Sequence, residues 1–552
     1  MEDSRGQLIP NRDTRSSSVK KFCGSRCCVT ILIFIIIGLL ISTIILAHRL
    51  HSKSSQTQYA VDGTIGFPPR LPNDGPYVQW TFLHMNDVYE MLPLDGGDKG
   101  GLSRVARVRQ LLLEENQETF TFLAGDLLSP SALSLAKVDN VSLNGRQMVA
   151  SMNTLGLDFI TFGNHEFDLK ETDLLQRMNE SQFTWISTNV FQLNGQPFSK
   201  TIPYKLLTIA NNVRILIFGL TIDSSLGPGT AYVQIVNTSS LIPFVQKFLS
   251  SLTEKYDVLV ALTHLDMTID IQLVEQIPQI DVILGGHEHE DYYLLRGSHY
   301  TPIYKADSNA FSVYIHRCAF NTKTKKFRLY STLARITPEL INEQNTEEVV
   351  KYWYDLGVQG FIKMGFEPNK TVATLPLYVE LDGRSTSVRN FPTLLTNLSC
   401  ECMLQATSTN RTIVGLFDSG QIRIDDILRD TVTQYDILRT LPFQNNVFSL
   451  SVPGKLLAQV LTHGMSLKGN GMFLVYCGVH TIDQGNTWIL NANGGNIATS
   501  GLSYNVATIA YAKDATDLKN AIILQELNIT QTKVLISYLN SKYPPPISTS
   551  TN

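Results

Sequence analysis

An α/β fold is predicted from two observations. Between residues 78 and 285, apolar runs of strand length alternate with segments of helical spacing, and polar, chemistry-bearing residues gather just past the C-terminal ends of those runs. Residues 78–85 are the first strand candidate and end in Asn86-Asp87. Gly100-Gly101 then opens a helix in which Val105, Val108, Leu111 and Leu112 recur at helical spacing. Residues 119–124 form a strand that stops at Gly125-Asp126. A helix around 145–155 precedes a buried strand over 156–162, where Gly163 lets the chain turn into Asn164-His165-Glu166-Phe167-Asp168. Strands over 183–189, 213–220, 258–263 and 282–284 follow, the last two leading into His264 and into Gly285-Gly286-His287-Glu288-His289.

Five of these ends carry carboxylate, amide or imidazole groups: Asp87, Asp126, Asn164-His165, His264 and His287-x-His289. Divalent metals of hard to borderline character take these ligands, and two ions held close together are readily bridged by a shared carboxylate. Singly, each residue has an ordinary explanation: a helix cap, a satisfied polar side chain, a chance His-x-His. Their coincidence at five strand ends favours a metal centre.

The chain has 552 residues, 43% hydrophobic and 17% charged, enough for more than one buried core. A net charge of −4 and scattered Lys and Arg leave no basic field for a polyanion, so nucleic acid is not an expected partner. Residues 29–47 run without a formal charge and are long enough to span a bilayer. An uncleaved signal anchor is favoured over a signal peptide, because His48-Arg49 follows where a small-residue cleavage site belongs. Arg12, Arg15, Lys20, Lys21 and Arg26 outweigh Arg49 and Lys53, which keeps residues 1–28 in the cytosol and makes this a single-pass type II protein of the cell surface or secretory lumen. Seven Asn-x-Ser/Thr sequons, at Asn140, Asn179, Asn237, Asn369, Asn397, Asn410 and Asn528, all lie beyond the span and suit a glycosylated ectodomain. Cys318, Cys400, Cys402 and Cys477 allow up to two disulfides in an oxidising compartment, with the pairing open.

The order Asp-x-x, Gly-Asp, Gly-Asn-His-Glu, His, Gly-His-x-His resembles that of the calcineurin-like metallophosphoesterases. Phe167-Asp168 and the C-terminal half are similar to the 5'-nucleotidase family. The resemblance implies a four-layer metallophosphoesterase β-sandwich flanked by helices over 77–340, a connecting helix over 341–366 and a smaller α+β substrate-binding domain over 367–540. A stalk over 48–76 and a disordered tail over 541–552 complete the expected organisation. The resemblance further implies two divalent ions, zinc first, with manganese, cobalt or iron as alternatives. One would be held by Asp87, Asp126 and His289, the other by Asp126, Asn164, His264 and His287. His165 and Asp168 match the family's catalytic dyad.

One departure lies at the first ion, where Tyr89 stands in place of the family's His in Asp-x-His. In the second domain Arg389 and Arg423 match phosphate-gripping arginines, a role suited to the planar guanidinium. Phe443 matches the first of two rings that clamp a nucleobase, and Asp418 replaces the family's Asn. The second ring is missing, with Leu518 standing in the corresponding stretch. The leading expectation is a membrane-anchored phosphomonoesterase for nucleoside 5'-monophosphates. The alternatives are a phosphatase or phosphodiesterase for non-nucleotide esters such as sugar phosphates, and a catalytically silent surface binding protein. Expected partners are a small phosphate ester and the membrane, with a homodimer left open.

Overall fold

The computed structural model describes residues 75–223 and 231–546. The expected cytosolic tail, the expected span over 29–47 and nearly all of the expected stalk lie outside them. No helix among the described residues is long and apolar enough to cross a membrane.

The inner strands of the N-terminal domain are apolar on both faces, as strands covered on both sides must be. Val258–His264 and Val282–Gly285 contain no exposed residue. Two six-stranded sheets result. The first runs, in spatial order, Lys326–Arg335, Ser312–Asn321, Tyr77–Met85, Thr119–Leu123, Phe159–Ile160, Thr184–Trp185; the second runs Tyr292–Arg296, Thr301–Lys305, Val282–Gly285, Val258–His264, Val213–Thr221, Tyr204–Ile209. Alternation along the strands decides which residues meet. Trp80, Phe82 and Phe122 of the first sheet pack on Ile215, Ile217, Val260 and Leu262 of the second. The intervening Leu216, Phe218, Leu259 and Ala261 face the helices Thr238–Ser251 and Met267–Gln276. Helices Leu102–Glu115 and Arg146–Leu155 cover the other side, and Gln344–Lys363 packs against both. The layers are therefore helix, sheet, sheet, helix.

Parallel pairing at the sheet centres sets the level of the strand ends. Met85 pairs with Leu123, Leu123 with Ile160, Thr263 with Gly285 and His264 with Thr221, so the residues that follow emerge along one edge of the sandwich. Two expected strands are shorter. The segment over 156–162 pairs only at Phe159–Ile160, after which Phe162 turns its carbonyl to the Thr221 hydroxyl at 2.8 Å. The segment over 183–189 pairs at Thr184–Trp185 and then crosses to the second sheet, where the Thr188 amide bonds the Gly219 carbonyl.

Helix Gln344–Lys363 leads to the second domain, its first turn capped by the Glu343 carboxylate, which accepts from the Asn345 and Thr346 amides. There a five-stranded sheet orders Leu474–Cys477, Val414–Asp418, Ser503–Ile509, Asn446–Pro453, Ile522–Thr530. Helices Leu394–Ala406 and Gln531–Lys542 contribute to one core, and Gly454–Ser466 to the other. The last helix continues two residues past the expected boundary at 540. A disulfide joins Cys400 to Cys477, while Cys318 and Cys402 are buried thiols, giving one bridge among the described residues where the sequence allows up to two. Both domains belong to one compact unit.

Candidate metal and catalytic site

The strand-end loops approach one another closely enough to require glycine. A Cβ on Gly163 would sit 2.0 Å from Asp126 Oδ1, and one on Gly125, itself at φ +81°, would meet Gly163 N and His264 Nδ1 at 2.6 Å. Glu166 clasps these loops from below, fully buried. Its carboxylate accepts from the amides of Asp126 (3.0 Å), Leu127 (2.6 Å), Leu128 (3.0 Å) and Gly163 (2.6 Å). Asp87, Asp126, His287 and His289 all hold left-handed backbone, with φ of 52°, 59°, 93° and 67°. Such conformations cost about 1–3 kcal/mol each and persist where surrounding structure enforces them, as it does at working sites.

Asp87, Asp126 and His264 each bring a donor atom within 4.8 Å of the others, all buried. The His264 ring is oriented by Nδ1, 2.8 Å from the Ala124 carbonyl, which leaves Nε2 facing inward. Around Nε2 lie Asn164 Oδ1 at 3.2 Å, His287 Nδ1 at 3.3 Å and Asp126 Oδ2 at 3.5 Å. His287 is turned by its Nε2, 3.3 Å from Asp266. Three further donors thus lie around His264 Nε2 at 3.2–3.5 Å, near the donor–donor spacing of about 3.3–3.4 Å around a tetrahedral ion with bonds of about 2.0–2.1 Å, and Asp87, Asp126 and His264 form the mutually close group. Burial alone would raise the Asp126 carboxyl; the charges of His264 and His165, with hydrogen bonds from the His165 amide and the Tyr89 hydroxyl, overcome it and hold the group well below the usual range. Burial lowers His264, yet Asp126 and Asp87 outweigh it and raise the imidazole.

The set expected for a first ion is differently occupied. Tyr89, 1% exposed, places Oη 2.8 Å from Asp126 Oδ2, 3.2 Å from Asp87 Oδ1 and 3.1 Å from His289 Nε2. As it stands, this set does not present open donors to a cation. Burial together with Asp126 and Asp87 pushes the Tyr89 phenol well above its ordinary value. Burial and Arg389 lower His289, whose Nδ1 lies 2.9 Å from Asp425 of the second domain.

Above this floor, His165 Nδ1 lies 2.8 Å from Asp168 Oδ2, which also accepts from Ser129 Oγ at 2.9 Å. The two opposing domains enclose a cleft of about 1110 Å³ lined by His165, Asp168, Arg389, Arg423, Phe443 and Asp418 among others. The Phe443 ring centroid is 6.2 Å from that of His165. Asp418 is buried with Oδ1 accepting from Gln421 and Oδ2 unpartnered, and burial pushes its pKa up to about 7.

All twelve residues singled out in the sequence for catalysis, metal or substrate therefore surround one cleft or its floor. Leu518 does not: it is fully buried in the second-domain core with Leu416 and Trp488, so it is no substitute for a base-stacking ring, and Tyr511 is the further aromatic that lines the cleft. Sequence reasoning missed Asp425, which touches His289, and left Asp266 and Ser129 unassigned. Asp425 carries a local signal only in following Arg423 by two residues.

A layered α/β sandwich with these groups at its strand ends defines the class of calcineurin-like phosphoesterases, and residues 81–291 match the family model of that description. Residues 371–523 match that of the 5'-nucleotidase C-terminal domain. The chain carries both domain models in order and is a 5'-nucleotidase-like phosphohydrolase. It is 25% identical over 449 residues to the trifunctional nucleotide phosphoesterase YfkN of Bacillus subtilis, a match covering 73% of this chain and 28% of that protein. A 5'-nucleotidase of Bos taurus is 23% identical over 449 residues, covering 73% of this chain and 75% of its own. Among solved structures, a 5'-nucleotidase precursor from Thermus thermophilus has the same fold, with a TM-score of 0.69, 20% identity, and coverage of 84% of this chain and 97% of its own.

Proposed function

We propose that the protein hydrolyses nucleoside 5'-monophosphates to nucleoside and phosphate in an ectodomain tethered by residues 29–47. The observation that carries this reading is the His165–Asp168 pair in the same cleft as the converging donors, two arginines and Phe443. A divalent ion held by Asp126, Asn164, His264 and His287 would supply Lewis-acid charge and a nucleophile at neutral pH. Asp168 fixes the His165 ring through Nδ1, so Nε2 is the nitrogen offered to the leaving 5'-oxygen, to which it delivers a proton. Arg389 and Arg423 clamp the phosphate, and Phe443 takes one face of the base. The domains act as a metal-holding part over 77–340, a connector over 341–366 and a substrate-holding part over 367–540. Five of the seven sequon asparagines, Asn140, Asn179, Asn237, Asn369 and Asn528, are exposed, which supports a glycosylated, luminal orientation.

Phosphate release from purine and pyrimidine 5'-monophosphates, ribose 5-phosphate and a phosphodiester, each with different divalent metals, tests the reaction. Nucleotide turnover that a chelator abolishes is expected; turnover of the sugar phosphate alone would replace the substrate assignment, and none at all would leave a binding protein. For the tether, protease should spare the second domain in intact microsomes and a glycosidase should shift its mobility.

A further inference from the structure

We propose that the Tyr89 phenol takes the place of a second ion, so that the resting protein holds a single divalent cation per chain, in the set formed by Asp126, Asn164, His264 and His287. The proposal rests on the phosphohydrolase reading and concerns the composition of that same centre.

The hydroxyl of Tyr89 lies within hydrogen-bond distance of one atom from each of Asp87, Asp126 and His289. An ion bound to those atoms at about 2.0–2.2 Å would compete with the phenolic oxygen for the lone pairs that now face it. The same groups are also engaged from behind. Asp87 Oδ2 accepts from the Asn86 side chain at 2.9 Å and the His287 amide at 2.8 Å, and His289 Nδ1 is committed to Asp425.

Tyr89 has little freedom to leave. Its amide donates to Asn309 Oδ1 at 3.0 Å, and the Arg423 guanidinium carbon lies 4.7 Å from the ring centroid. Arg423 Nη2 also comes within 3.5 Å of His289 Nε2. The positive charge beside Asp87 and Asp126 is thus supplied by a guanidinium held over the ring, a cation–π arrangement strengthened by burial. The two sets share Asp126 Oδ2, which accepts from Tyr89; beyond it, two imidazole nitrogens and an amide oxygen meet at the other set, whereas here a hydroxyl already sits at the centre.

Elemental analysis of the full-length protein, purified in detergent and freed of loose metal by gel filtration, reads the stoichiometry directly, and manganese-loaded samples add an electron paramagnetic signature. Wild-type protein should hold one equivalent and give the spectrum of isolated manganese. Tyr89→His should raise the content to two equivalents with exchange-coupled spectra. Two equivalents in the wild type, or a visible absorption band from tyrosinate bound to an oxidised metal, would overturn the proposal while leaving phosphate release intact. One equivalent in both proteins would show that Tyr89 is not what excludes the second ion. No metal together with no phosphate release would remove the phosphohydrolase reading itself.

Discussion

The two walls of the cleft are built by different means. The N-terminal wall takes its functional groups from residues directly after parallel strands, with loops clasped by Glu166 and backbone forced into left-handed geometry at four positions. The second-domain wall contributes long side chains, Arg389, Arg423 and Phe443, from loops and short turns, beside a buried, half-satisfied Asp418. Chemistry needs positions held within fractions of an ångström, whereas phosphate and base recognition tolerates adjustment along a flexible stem. The difference locates what is fixed by the sandwich and what varies on the opposing domain.

That contrast predicts a descending series. Asp126→Ala should abolish both metal binding and turnover, because its Oδ2 belongs to the converging donors; retained metal would break the assignment. His165→Ala should lower kcat by about 10²–10⁴-fold with metal content unchanged. Survival of wild-type turnover in that variant would remove the histidine from the mechanism. Arg389→Ala, on the recognition wall, should act mainly on KM, raising it by roughly 10–100-fold through the loss of a charge-assisted contact. A fall in kcat of the same size at unchanged KM would place that arginine with the chemistry instead.

The smallest effect concerns stability. Asp418 has its folded pKa raised from 3.8 to about 7 by burial, so the fold favours its protonated form. The stability this group contributes is complete below its unfolded pKa and is lost as pH rises through about 7. Asp418→Asn keeps the acceptor for Gln421 and carries no charge, so it should be more stable than wild type by on the order of 1–3 kcal/mol at about pH 8 and progressively less so towards about pH 4. Denaturant unfolding of both proteins across that range checks it; identical pH profiles would mean that Asp418 stays solvated.

The legible part of this molecule is the N-terminal wall. Apolar runs followed at once by Asp87, Asp126, Asn164, His264 and His287 are a local pattern, and parallel register turns it into a site. The strand over 156–162 is shorter than its pattern suggests because apolar character there serves the turn towards Gly163 as much as the ladder, which pairs only Phe159 and Ile160. Asp425 is invisible in the sequence for another reason: its role comes from meeting His289, 136 residues away, across a domain boundary. Leu518 misleads because its place in the chain says nothing of which way it points, and only the core packing with Leu416 and Trp488 shows that it points inward. The aromatic character of Tyr89 is plain, but the three atoms gathered around its hydroxyl come from three separate loops.

The bond between His289 and Asp425 has one more consequence. It ties a residue at the centre's edge to a carboxylate that belongs to the other domain, which also accepts from the Ser308 hydroxyl of the first domain and from the Ser385 amide of its own. Burial alone would raise Asp425, but the His289 imidazole reverses this and keeps it ionised. Drawing the domains apart would therefore strip His289 of a charged hydrogen bond worth about 1.5–3 kcal/mol. The carboxylate is thus a latch whose catch sits on the opposite wall, and the closed posture is held at the very edge of the reaction centre.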